Sequence, residues 1–139
     1  MDLRGSRNLK EIPDLSMATN LETLKLSSCS SLVELPSSIQ YLNKLNDLDM
    51  SYCDHLETIP SGVNLKSLDR LNLSGCSRLK SFLDIPTNIS WLDIGQTADI
   101  PSNLRLQNLD ELILCERVQV FTFANIFSNL HLTNTYITN

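Results

Sequence analysis

The feature that most constrains this chain is a segment that returns at nearly fixed intervals. Leu21 to Lys44 reads LETLKLSSCSSLVELPSSIQYLNK, Leu45 to Ser67 reads LNDLDMSYCDHLETIPSGVNLKS, and Leu68 opens LDRLNLSGCSRLKSFLDIPTN. Each copy sets Leu at its start, an apolar residue three and five positions on, and Cys at eight. Cys29, Cys53 and Cys76 mark the period, which is nearly equal from one copy to the next. It lies inside the range of about 20–29 residues that short solenoid repeats use. A unit this short cannot bury its apolar face alone, so copies must stack.

Within LETLKLSS, Leu24 and Leu26 alternate with Thr23, Lys25 and Ser27, which is the period of a half-buried strand. Pro36 and Pro60 follow Leu35 and Ile59, and Ile39, Leu42, Val63 and Leu65 supply apolar anchors to the return path. Proline has no N–H to give a ladder and suits that path. The return segments are too short for long helices, so extended chain and 3₁₀ turns are expected there. The spacing L-x-x-L-x-L-x-x-N/C-x-L is that of a leucine-rich repeat. It predicts an α/β-type leucine-rich-repeat solenoid of five to six repeats, a curved horseshoe fragment with short parallel strands on its concave side. With aromatics at 6% and hydrophobic residues at 42%, the core must be mainly Leu and Ile.

Toward the N-terminus, Leu3, Leu9 and Ile12-Pro13 match Leu26, Leu32 and Leu35-Pro36, so the chain opens inside a partial repeat. Past Phe82 the spacing shortens, and the steps from Leu68 to Ile89 and from Ile89 to Leu109 are both smaller than that from Leu45 to Leu68. Thr97 takes the place of the recurring Cys, where a hydroxyl can serve the same backbone hydrogen bond. Arg117 takes it in LDELILCERV, where an unpaired charge is costly to bury. Phe127, Leu130, Leu132 and Thr135 then reproduce the offsets of a sixth unit. The step from Leu109 to Phe127 is shorter still, below the usual range for a repeat. That interval leaves two readings open, a sixth strand or a decayed end. Residues 1–116 are assigned to the repeats and 117–139 to a degenerate or truncated terminal repeat.

Chemistry has few footholds. Cys29, Cys53 and Cys76 are equivalent repeat positions, which reads as a ladder of small buried residues, and no close pairs have metal-ligand spacing. His55 lies beside Cys53 and Asp54, yet neighbours along a chain point in different directions, and a surface histidine is the reading preferred over a catalytic one. No cofactor is expected, because the chain holds four glycines and no G-x-x-x-x-G-K-[ST] phosphate loop. The formal net charge of −5 argues against nucleic acid and anionic membrane as partners. No apolar run approaches the ~18 residues of a membrane span, and MDLRGSRNLKEIPDL is no secretory signal. The sequons at Asn72 and Asn88 therefore read as chance, and an intracellular, cytoplasmic or nuclear, setting is expected.

Alternation within the strands predicts which residues face outward. One column is Thr23, Asp47, Arg70, Trp91 and Glu111, and the next is Lys25, Asp49, Asn72, Asp93 and Ile113. A third, Ser27, Ser51, Ser74, Gly95 and Cys115, is small and leaves room for close approach. The first two columns are the candidate protein-binding face, centred on Trp91 beside Arg70, since Trp and Arg are enriched at binding hot spots. The plainer reading is a solvated face in which Asp47 neutralises Arg70 and Lys25 neutralises Asp49.

LxxLxLSxCxxLxxLPxxI, followed by SFLDIPTNISWLDIGQT (Ser81 to Thr97), resembles the leucine-rich repeats of plant TIR-type nucleotide-binding disease resistance receptors. The residues that carry the second module are Pro86, Asn88, Ile89, Leu92 and Thr97. The resemblance spans roughly residues 1 to 116. It implies a module that recognises a pathogen effector or a guarded host protein and contacts the nucleotide-binding domain of a full receptor. It implies no enzyme, because the TIR and nucleotide-binding domains have no counterpart in this sequence. Three rivals stand beside it: a truncated product with little activity of its own, the substrate-recognition part of a ubiquitin-ligase complex, and a cell-surface ectodomain. The last would need a signal peptide, paired cysteine caps and an L-x-G-x-I-P return path.

Overall fold

The computed structural model describes residues 1–60, 65–80, 88–97, 110–115 and 134–138. Among them, six parallel strands lie side by side in chain order: β1 (Thr23–Lys25), β2 (Asp47–Asp49), β3 (Arg70–Asn72), β4 (Trp91–Asp93), β5 (Glu111–Cys115) and β6 (Asn134–Thr138). The register aligns Leu24, Leu48, Leu71, Leu92 and Leu112 across five strands. This is a leucine-rich-repeat solenoid, with almost no helix among the described residues.

Each of β1 to β5 presents its central leucine inward, and Leu26, Met50, Leu73 and Ile94 form a second buried row. Leu32, Leu56 and Leu79 line the far side of the coil, all at 0% exposure. Burying a leucine side chain is worth about 1.5–3 kcal/mol relative to leaving it in water, so these stacked rows are the main adhesive. The return path after Pro36 is a 3₁₀ turn, Ser37–Tyr41, with Ile39 and Leu42 buried beneath it. Leu65 is buried as expected, while Val63 lies outside the described residues. A sparse second ladder joins the return paths, where Glu34 bridges Thr58.

The opening residues complete a coil against β1. Asp2 bridges Lys25, and the Leu3 and Gly5 amides donate to the Lys25 and Ser27 carbonyls, both at 2.8 Å. Ile12 is buried where Leu35 is buried one coil later.

After the opening bridge and after each of β1 to β4 the chain turns through one residue with positive φ. These are Gly5, Ser28, Tyr52, Gly75 and Gln96, at 72°, 61°, 57°, 75° and 60°. The turn conformation is thus kept whether or not glycine is present to make it cheap. At Gly75 glycine is needed twice over, because an added Cβ would come within 2.6 Å of the Tyr52 ring.

The ladder after the turn is made of thiols. Cys29, Cys53 and Cys76 donate from Sγ to the carbonyls of Leu3, Leu26 and Met50 in the preceding coil, at 3.1–3.2 Å. Thr97 bonds local backbone as expected of a hydroxyl, but not in the manner of the thiols. Its hydroxyl donates to Ile94 O at 2.8 Å, inside its own coil rather than across to the coil before. Asn88 takes up cross-coil bonding in this shortened unit, with Nδ2 donating to the Lys66 and Leu68 carbonyls at 2.9 Å each.

The sixth strand is present but later than the leucine offsets suggest. Leu112 pairs with Thr135, not Leu130. The step from β5 to β6 therefore matches the one from Cys53 to Cys76, not the compressed one that the leucines imply. Leu130, Leu132 and Arg117 lie outside the described residues.

Candidate functional site

The register places all ten predicted face residues on one side of β1–β5 in two adjacent columns. Thr23, Asp47, Arg70, Trp91 and Glu111 are in line across the strands, and so are Lys25, Asp49, Asn72, Asp93 and Ile113. Parallel neighbours are about 4.8 Å apart, so each column is a continuous row of side chains. Arg70 is exposed and the other nine are half-buried.

The charge pairing differs from the one expected along the columns. Lys25 Nζ bonds Asp47 Oδ2 at 2.6 Å, reaching diagonally from the second column to the first. Arg70 does not pair with Asp47. Its guanidinium carbon lies 4.4 Å from the centroid of the Trp91 ring. A long flexible ammonium can reach the diagonal carboxylate, while a planar guanidinium gains more by stacking on the indole in the next strand. Such a cation–π contact at an exposed site is worth about 0.5–1 kcal/mol.

The second column has a further role. Asp49 Oδ1 accepts hydrogen bonds from the Ser51 amide at 3.1 Å and the Ser51 hydroxyl at 2.7 Å. Asn72 Oδ1 does the same for Ser74, at 3.0 and 2.7 Å. Asp93 Oδ1 accepts from the Gly95 amide at 2.9 Å. These side chains close each strand into its turn, a task that a D/N-x-S/G spacing could have signalled. Asp49, Asn72 and Asp93 are therefore partly committed to the scaffold. Burial pushes the Asp93 carboxyl above the ordinary carboxylate range, and the Asp49 charge adds to the shift against the bonds from Gly95 and Ser74.

Tyr52 is the surface residue that column counting misses. It stands one position beyond the third column, is exposed, and lays its ring over Gly75. Ser27, Ser51, Ser74 and Gly95 lie between Tyr52 and the charged columns and keep that strip low.

The thiols are poor nucleophiles. Burial pushes Cys53 and Cys76 up to about 12 and raises Cys29, so all three stay protonated as donors. His55 is exposed and its Nδ1 donates to Ser30 O at 2.6 Å. Among the described residues no group of acids, cysteines and histidines could hold a metal, and no helix is long and apolar enough to cross a membrane.

No protein-family model matches the chain. Among curated proteins it is 98% identical over 122 residues to disease resistance protein RPS6 of Arabidopsis thaliana, covering 88% of this chain and 11% of that protein. It is 54% identical over 96 residues to disease resistance protein RPP4 of the same plant, covering 69% of this chain and 8% of the relative. Against disease resistance protein RPP5 of Arabidopsis thaliana the identity is 53% over 90 residues, covering 65% of this chain and 6% of the relative. The chain thus spans about a tenth or less of the length of these relatives.

Proposed function

Because the chain belongs to the leucine-rich-repeat region of plant disease resistance receptors, we propose that it is a protein-recognition module of such a receptor. Its concave face would bind a pathogen effector or a guarded host protein. In a complete receptor it would also contact the nucleotide-binding domain and help keep it inactive. The observation that carries this reading is the Arg70–Trp91 stack, displayed in the first column with Arg70 exposed and Trp91 half-buried. An aromatic–cation pair held rigid by backbone pairing loses little freedom on binding, which is how hot-spot residues contribute to affinity. A scaffold needs no such pair, since its strength lies in the leucine rows beneath.

The test places Arg70→Ala and Trp91→Ala, singly and together, in a receptor carrying this repeat span. Defence-associated cell death in leaf tissue is scored beside receptor accumulation. The expected result is loss of the response with normal accumulation, as each hot-spot truncation costs about 2 kcal/mol or more of binding. A normal response from the double variant would overturn the assignment of this face.

A further inference from the structure

We propose that the face between β2 and β5 receives a basic segment of a partner protein, its cations seated by Asp49 and Asp93 beside the Trp91–Arg70 stack. This rests on the protein-recognition reading and specifies the chemistry of the partner. Two observations carry it.

The first is that the column does not need these charges for its fold. Asp49 and Asn72 make the same pair of bonds to the serine two positions on, at 3.1 and 2.7 Å against 3.0 and 2.7 Å. An amide therefore closes this turn as well as a carboxylate does. Yet Asp49 and Asp93 bring two like charges into one column, where burial and the Asp49 charge push the Asp93 carboxyl above the ordinary carboxylate range. A charge that the turn does not require, kept where it is unfavourable, fits an external cation.

The second is the charge balance of the face. Arg4 is bound to Asp2 and Lys25 to Asp47, at 2.7 and 2.6 Å, and Arg70 lies on Trp91. Asp49, Asp93 and Glu111 form no ion pair among the described residues. The surplus is negative and is concentrated at β2–β5. Ser51, Ser74 and Gly95 beside it let a backbone approach closely.

Geometry narrows the partner further. Asp49 and Asp93 are two strands apart, about 10 Å. A segment in the polyproline II conformation returns to the same side every third residue, after about 9 Å. A Lys-x-x-Lys or Arg-x-x-Arg spacing crossing the strands would meet both carboxylates.

Trp91 is the only tryptophan, so its fluorescence reports on this face directly. The full chain is titrated at low salt with a short Gly/Ser peptide carrying Lys-x-x-Lys and with its Glu-x-x-Glu counterpart. The lysine peptide should give a saturable change in Trp91 emission that salt reverses, and the glutamate peptide none. Asp49→Asn with Asp93→Asn should weaken binding about tenfold or more, as loss of close charge pairs does at interfaces. Glu34→Gln with Asp54→Asn removes the same total charge from exposed residues off the two columns and should leave binding within twofold. Far-ultraviolet circular dichroism of the asparagine double variant should be unchanged, because Asn72 shows that the amide keeps the turn. Equal response to both peptides, preference for glutamate, or equal weakening by the two double variants would overturn the proposal. If lysine peptides fail while Arg70→Ala with Trp91→Ala still abolishes the defence response, the recognition face stands and only its basic partner falls.

Discussion

Asp93 shows at the scale of one residue how scaffold and surface compete. Its Oδ1 closes a turn, yet burial and the neighbouring Asp49 raise its pKa above the ordinary 3.8. A carboxyl whose folded pKa is raised favours the fold below its unfolded pKa, and that benefit is lost as pH rises through the folded value. Asp93→Asn should therefore raise the melting temperature at pH 7, and the gain should close as pH falls to 3.8. A pH series of thermal melts would show it, and a drop in melting temperature at pH 7 would contradict it. The thiols carry the same sign, and burial is again the main cause. Cys53 and Cys76 rise from 9.0 to about 12, so stability present below pH 9.0 should drain away between those values. Native-state alkylation with iodoacetamide in mild base should leave both untouched until denaturant is added. The burial of these cysteines was legible in their nearly equal spacing. Their acceptors were not, because the sequence does not say which carbonyl faces a thiol one coil away.

At the scale of the element, β1 to β5 and the 3₁₀ return after Pro36 were legible, while β6 and the positive-φ turns were not. Alternating leucines locate β1 to β5, since in a strand a slip of one residue would turn every leucine to water. β6 carries Thr135 in the row of central leucines and Ile137 two positions on, so matching leucine to leucine puts the strand too early, at Leu130. The pairing of Lys25 with Asp47 was hidden for a similar reason: a column gives the nearest neighbour but not the diagonal a long side chain can reach. The positive-φ turn left a mark at Gly5 and Gly75, but Ser28, Tyr52 and Gln96 at the same position obscured it. Gly75→Ala should cost about 1–2 kcal/mol from the left-handed backbone alone, and more from contact with the Tyr52 ring. Adding Tyr52→Ala should return the contact part and leave the backbone part. A double-mutant cycle by urea denaturation separates the two. Simple additivity would mean that the ring moves aside at no cost.

At the scale of the whole molecule, the contacts described run mainly from one coil to the next, and this decides how damage spreads. Leu71 is 3% exposed, with Leu48 beside it in β2 and Leu92 in β4. Leu71→Ala should cost about 2–5 kcal/mol, the usual range for a buried leucine whose cavity the surroundings cannot fully close. In a stacked array stability is approximately a sum of terms within each unit and between neighbours, so that loss belongs to two interfaces and not to the whole chain. Hydrogen exchange should therefore quicken most at the Met50 and Leu73 amides, whose acceptors are Asn72 O and Asp93 O. The Leu3 and Gly5 amides, bonded to Lys25 O and Ser27 O, should keep more of their protection. Trp91 emission should also shift to the red, because the strand that carries Arg70 over the indole is the one loosened. Uniform loss of protection from Gly5 to Leu73 would instead mean that the array unfolds as a single unit. In that case a partner bound at β2–β5 would stabilise every coil equally. With local loosening, binding at Arg70 and Trp91 would protect the central coils first, so the same exchange experiment with and without the lysine peptide reads how far binding is felt along the solenoid.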